Sequence, residues 1–140
     1  MCVLKIHSDT TSFQVYYEST DLPVISCHVK GQVRRKSTGE LHQSHQIAIS
    51  VSDKDWDNFE GQVEDAIAFL ADHESELREL IASHDASESY LDFPLYSRLR
   101  GDIVNQNDHL PRQLIGLAGR LGLGIEMAIY DKGALDEAEA

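Results

Sequence analysis

Alternation of apolar and polar positions marks the first element. Val3 to His7 reads as a short strand, closed by Ser8-Asp9-Thr10-Thr11, a run that favours a turn or a helix start. The next segment supports two readings. Phe13, Val15 and Tyr17 alternate as in a strand, while Phe13, Tyr16, Tyr17 and Thr20 also share one helical face, so residues 10–20 stay open between helix and strand. Leu22-Pro23 ends either element, because proline lacks an amide donor and restricts the residue before it. Two strand-like runs follow, residues 24–35 and 40–52, separated by Lys36-Ser37-Thr38-Gly39, which predicts a hairpin. Its second arm places Leu41, Gln43, His45, Ile47, Ile49 and Val51 on a core face, with His42, Ser44, Gln46, Ala48, Ser50 and Ser52 opposite.

The period then changes from two to between three and four. Trp56, Phe59, Val63, Ile67, Leu70, Leu77, Leu80 and Ile81 predict one long helix from Asp53, capped by Ser52 or Asp53 and laid across a sheet. Tyr90 to Leu99 alternates again, and Pro94 in its middle points to an edge strand or a bulge. Residues 100–109 read as a polar loop. Asp108 is positioned to cap a helix from about Leu110, with Leu114, Leu117, Ala118 and Leu121 as its buried face and Gly122 as its stop. Gly116 and Gly119 inside it suggest close packing on the sheet. Ile125 to Tyr130 forms a last strand, and the acidic residues 131–140 read as a flexible tail.

The order of elements predicts a single α+β domain over residues 1–130. A mixed or mainly antiparallel sheet carries the long acidic helix and the C-terminal helix, and the closing strand-helix-strand unit crosses over right-handed. A chain of 140 residues with 41% hydrophobic and 26% charged residues is large enough to bury such a core without disulfides or a structural metal. No apolar run is long enough for a bilayer, and the start Met1-Cys2-Val3-Leu4-Lys5-Ile6-His7 lacks the pattern of a secretory signal. These features point to a cytoplasmic protein with no membrane association, in which Cys2 and Cys27 are free thiols.

Charge changes the picture more than composition does. The net charge of −12 disfavours binding to nucleic acid or to an anionic membrane. Residues 53–79 hold Asp53, Asp55, Asp57, Glu60, Glu64, Asp65, Asp72, Glu74, Glu76 and Glu79 against only Lys54 and Arg78. Asp57, Glu60, Glu64, Asp65, Asp72 and Glu76 are therefore the candidate contacts to a basic protein partner, set against the plainer role of a solvated face. Conversely, Lys30, Arg34, Arg35 and Lys36 concentrate positive charge in seven residues and are candidate anion contacts.

The residue patterns bring together an element order that resembles an uncharacterised bacterial family, domain of unknown function 4279. The resemblance spans roughly residues 22–130. It rests on Leu22-Pro23 followed by Lys30-Gly31, on Ile49-Ser50-Val51-Ser52, on the helix holding Val63 to Leu80, and on Leu114-Ile115 through Leu121-Gly122 to Ile129-Tyr130. It implies a helix after the first strand, a bacterial source and no established activity.

Other chemistry is thinly represented. Cys27, His28, His42 and His45 are the metal-like residues, because thiolate and imidazole suit zinc. A regular hairpin would separate Cys27 and His28 from His42 by on the order of 15 Å and turn His42 and His45 to opposite faces, which argues against a shared ion. His28 is an ill-placed base for Cys27, since adjacent strand residues face apart. His73 and His84 recur on one face of the long helix, where surface roles are the simpler reading, and neither the abundant carboxylate pairs nor the helix glycines form a catalytic or phosphate-binding set. The expectation is a non-enzymatic interaction domain without a cofactor, of inhibitor or immunity type. Its alternatives are a small-molecule or metal-binding domain, possible enzyme chemistry included, and a homodimer paired through the strand edge near Pro94.

Overall fold

A computed structural model describes residues 1–139 and shows an α+β fold built on a five-stranded mixed sheet. The strands are β1 (Cys2–Ser8), β2 (Val24–His28), β5 (His45–Ser52), β6 (Ala86–Tyr96) and β7 (Gly124–Tyr130), with β3 (Val33–Arg35) and β4 (Glu40–Leu41) forming a separate two-stranded ribbon. The helices are α1 (Gln14–Ser19), α2 (Phe59–Asp72), α3 (Glu74–Ser83), α4 (Arg112–Leu121) and α5 (Lys132–Glu139). Sheet order is β2-β5-β1-β6-β7, antiparallel throughout except for the parallel pair β6 and β7.

One face of this sheet is the core. Leu4 and Ile6 of β1, Ile47 and Ile49 of β5, and Leu91, Phe93 and Leu95 of β6 are buried, and they meet Val63, Ala66 and Leu70 of α2, Leu77 and Leu80 of α3, and Leu114, Leu117 and Leu121 of α4. The strict two-residue period on the strands and the stripe on the helices produce this layer, because each element can hide only one face. The opposite sheet face carries polar side chains.

Several expectations change in the folded chain. The ambiguous segment is a helix, α1, and no residue within it is buried; its anchor is Phe13, fully buried at its N-cap and stacked on His84 at 4.9 Å. The long acidic helix starts at Phe59, not Asp53. Asn58 caps it by accepting from Gly61 N at 2.9 Å, and Trp56 lies in the preceding loop, stacked on Tyr130 at 4.6 Å. A bend at His73 divides α2 from α3, yet the backbone bonds His73 N to Phe69 O and Leu77 N to His73 O persist across it. The apolar spacing reads straight through because Leu70 and Leu77 are two helical turns apart.

Pro94 sits in the interior strand β6, not at a sheet edge. The register of β1 against β6 ends at Asp92, so Pro94 needs no ladder donor on that side; Gln62 Nε2 donates to the Pro94 carbonyl at 2.9 Å and Tyr96 N donates to Trp56 O at 3.1 Å. The edge proposed for pairing with a second copy is thus covered by the chain itself. Asp108 does not cap α4, which begins at Arg112 with no side-chain cap; it accepts instead from Arg98 and Gln106. Gly122 ends α4 in the left-handed region at φ 70°, as its sequence position suggests. Gly119 faces open space and Gly116 meets only the tip of Arg120, so neither packs on the sheet. Residues 132–139 form α5 where a flexible tail is expected, and Ala140 lies outside the described residues.

Candidate functional site

Two concavities hold the chemistry-bearing side chains. The larger, about 640 Å³, runs between the N-terminal half of α2 and the loop that leads into α4. Phe59, Val63, Ile67 and Pro111 give it an apolar floor, and Asp57, Glu60 and Glu64 stand exposed along it. None of these three carboxylates has an ion-pair partner among the described residues. The facing wall is a closed loop. Arg98 N donates to Gln106 Oε1 at 2.7 Å, Gln106 Nε2 to Asp108 Oδ2 at 2.8 Å, and the Arg98 guanidinium to Asp108 Oδ1 at 3.0 Å. Asp108 therefore already has its counterion, and the uncompensated charge of the groove lies on the α2 side.

Asp57, Glu60 and Glu64 of the six acidic candidates come together here; the others do not. Asp65 is half-buried and accepts from Ser52 Oγ at 2.7 Å. Asp72 is exposed at the C-terminal end of α2, and Glu76, on α3, accepts from Tyr16 Oη at 2.9 Å. The bend at His73 and the docking of α1 divide what the helical period presents as one continuous face.

The smaller concavity, about 340 Å³, lies on the open face of the sheet. Cross-strand register builds its floor in two rows: Ser26, Ala48, Lys5 and Tyr90 in one, His28, Gln46 and His7 in the next. Arg34 of β3 completes the lining. The ribbon reaches this position because the hairpin is not regular. Gly31 takes φ 89°, a value open to glycine, and the chain leaves the sheet there, held by Gly31 N to His42 O at 3.0 Å and His42 N to Gln32 O at 2.8 Å. His28 and His42 consequently stack with ring centroids 4.2 Å apart, correcting the separation of on the order of 15 Å that a regular ladder requires.

Proximity does not make these residues a metal set. Parallel rings at that distance direct their nitrogen lone pairs alongside one another, not toward one point. His45 Nδ1 accepts from Lys30 N at 3.2 Å, and Cys27 packs against the core on the far side of the sheet from His28. Among the described residues, no group of three or more His, Cys, Asp or Glu side chains is placed to hold an ion. Cys2 and Cys27 are both free thiols pushed up by burial, which keeps them protonated and poorly nucleophilic. His73 lies against Phe69 at the helix bend, and His84 Nδ1 is 2.9 Å from Leu80 O, so both have structural surroundings.

Of the basic candidates only Arg34 enters the pocket; Lys30, Arg35 and Lys36 are exposed and outside its lining. Lys5, His7, Gln46 and Tyr90 were not legible as site residues in sequence. Their alternation out of phase with the core was the available signal, but it marks every residue of an open sheet face alike. Lys5 Nζ bonds Asp92 Oδ2 at 2.9 Å, and His7 Nδ1 lies 3.0 Å from Ser44 Oγ with its ring parallel to that of Tyr90 at 6.0 Å. Burial holds the His7 imidazole below its ordinary range, and His42 is lowered by desolvation, with His28 and Arg34 beside it acting in the same sense.

Comparison of the chain with protein-family models, with curated proteins and with solved structures returns no significant match. No helix among the described residues is long and apolar enough to cross a membrane.

Proposed function

We propose that this domain is a protein-interaction module that receives a basic, partly apolar segment of a partner in the groove between α2 and the Arg98–Pro111 loop. The observation that carries the reading is the convergence of Asp57, Glu60 and Glu64 over an apolar floor of Phe59, Val63, Ile67 and Pro111. Carboxylates without counterions would steer a cationic chain and fix its register, while desolvation of the floor would supply affinity. Inhibition or neutralisation of a basic partner in a bacterial cytoplasm fits such a surface, as does kinship with the domain of unknown function 4279, and both belong to this proposal.

A fluorescent peptide of alternating lysine and leucine tests it by anisotropy. Binding should saturate, weaken as salt rises, and fall at least about fivefold in the triple variant Asp57→Asn, Glu60→Gln, Glu64→Gln. A matched variant, Asp53→Asn, Asp55→Asn, Glu79→Gln, removes the same charge from exposed positions outside the groove. Equal loss in both variants, or no saturable binding to the native protein, overturns the proposal.

A further inference from the structure

The pocket on the open sheet face has a composition at odds with the rest of the molecule. The chain carries 24 acidic residues against 12 lysines and arginines, yet the nine residues lining this pocket include Lys5, His7, His28 and Arg34 and no carboxylate. Ser26, Gln46 and Tyr90 add neutral hydrogen-bonding groups, so the wall can donate to an oxygen-rich ligand from several directions. The basic side chains come from three separate strands: β1 supplies Lys5 and His7, β2 His28, and β3 of the ribbon Arg34, with β5 between β2 and β1 contributing the neutral Gln46. No local run of basic residues explains the cluster.

The ribbon gives the site one wall. The Gly31 bend and the His28–His42 stack bring Arg34 of β3 to the pocket lining, and among the described residues Arg34 has as its ion-pair partner only the exposed Glu40, at a long 3.4 Å. A guanidinium held that loosely can turn toward a bound anion at small cost. Lys5 is already paired with Asp92, and Glu88 stands opposite His7 in the β1–β6 register, so the site's field is moderate and the loosely held Arg34 decides it. Its volume, about 340 Å³, suits a small metabolite and excludes a folded partner.

We propose that this pocket binds the oxyanion group, phosphate or carboxylate, of a small molecule, with Arg34, His28 and Lys5 as its principal contacts and His7 and Tyr90 beside them. The site is separate from the acidic groove and does not depend on the function proposed for it.

Isothermal titration calorimetry with inorganic phosphate, phenyl phosphate and benzoate is the test, accompanied by histidine-ring NMR. At least one of these probes should bind saturably and move the His28 and His7 resonances; preference between phenyl phosphate and benzoate identifies the oxyanion. Arg34→Gln, on an exposed ribbon position, should weaken binding by about tenfold, and His28→Ala should do the same after removing both a contact and the ring that supports the ribbon. Lys36→Gln, which removes the same charge at the ribbon's turn, should leave binding within about twofold. Retention of peptide binding by Arg34→Gln separates this site from the groove. Absence of saturation with all three probes up to about 10 mM, or equal loss in Arg34→Gln and Lys36→Gln, overturns the proposal.

Discussion

The side-chain amide of Gln62, fully buried within α2, donates to the Pro94 carbonyl at 2.9 Å and to the Asp55 carbonyl at 3.1 Å. One polar residue in an apolar helix face thereby closes the side of β6 that β1 leaves uncovered. It also fastens the loop before α2, which forms one end of the acidic groove. Gln62→Leu keeps most of the volume and removes the side-chain donor from the Pro94 carbonyl, while Asp55 O keeps its bond from Asn58 N, and should destabilise the fold by about 1–3 kcal/mol. Urea denaturation should show a lower midpoint with an unchanged slope; an unaltered midpoint would mean that the amide contributes nothing net.

Phe13 has a comparable role for α1. With no buried residue inside that helix, the Phe13 ring stacked on His84 attaches it together with Tyr16, which meets His84 edge-on and donates to Glu76. Phe13→Ala should cost about 3–5 kcal/mol, and Phe13→Leu distinctly less. Hydrogen exchange in the leucine variant should show loss of protection beginning at Tyr17 and Thr20, whose amides bond to Phe13 O and Tyr16 O.

The two glycines at the end of α4 should respond in opposite directions. A Cβ at Gly119 meets nothing within 4 Å and the backbone there is helical, so Gly119→Ala should stabilise by about 0.5–1 kcal/mol. Gly122 has φ 70°, where an alanine is strained; Gly122→Ala should destabilise by about 1 kcal/mol. Thermal unfolding of both variants in one buffer is a direct comparison.

Acid should weaken the fold in part through His7. Burial lowers its pKa from 6.5, with Lys5 acting in the same sense and Glu88 and Asp9 against it. The unfolded chain then takes up the proton first, so the contribution is fully present above about pH 6.5 and is lost as pH falls through the lower, folded value. Protonation of carboxylates relieves the repulsion of a −12 chain over a lower range, and Glu74, held down by its hydrogen bond from Arg120, loses its own contribution only below the carboxylate range. From about pH 7.5 to about pH 5.5 the carboxylates stay ionised and His42, also lowered, acts alike in both proteins, so the difference reports His7: His7→Gln should show a flatter decline than the native protein. Parallel profiles would contradict it.

The core periods are legible in most elements; Leu41 and Gln43, read onto the core face with Ile47, are the exception, because the chain leaves the sheet at Gly31 and both stand exposed outside β5. Leu4 and Ile6, Ile47 to Val51, Leu91 to Leu95, and Val63, Leu70, Leu77, Leu80, Leu114 and Leu121 all lie where alternation or helical spacing puts them. The stop at Gly122 and the hairpin turn ending at Gly39 were equally local, since each rests on a glycine at positive φ. Misreadings fell where a residue's role was set by a distant partner. Pro94 looked like an edge residue because its covering amide is 32 positions away; Asp108 looked like a cap because the Arg98 that binds it is not adjacent in sequence.

Both concavities have the same origin. Asp57, Glu60 and Glu64 could be chosen from the sequence as charged and exposed, but their separation from Asp65, Asp72 and Glu76 required the Ser52 bond, the bend at His73 and the docking of α1. The sheet pocket left still less trace, because Lys5, His28, Arg34 and Tyr90 become neighbours only through strand order and the departure of the chain at Gly31. By itself the sequence determined the period of each element and the face it buries, which are short-range consequences of backbone geometry and apolar burial. Tertiary structure alone decided which strands pair and where the ribbon leaves the sheet, because cross-strand contacts join side chains between which the chain carries no local pattern.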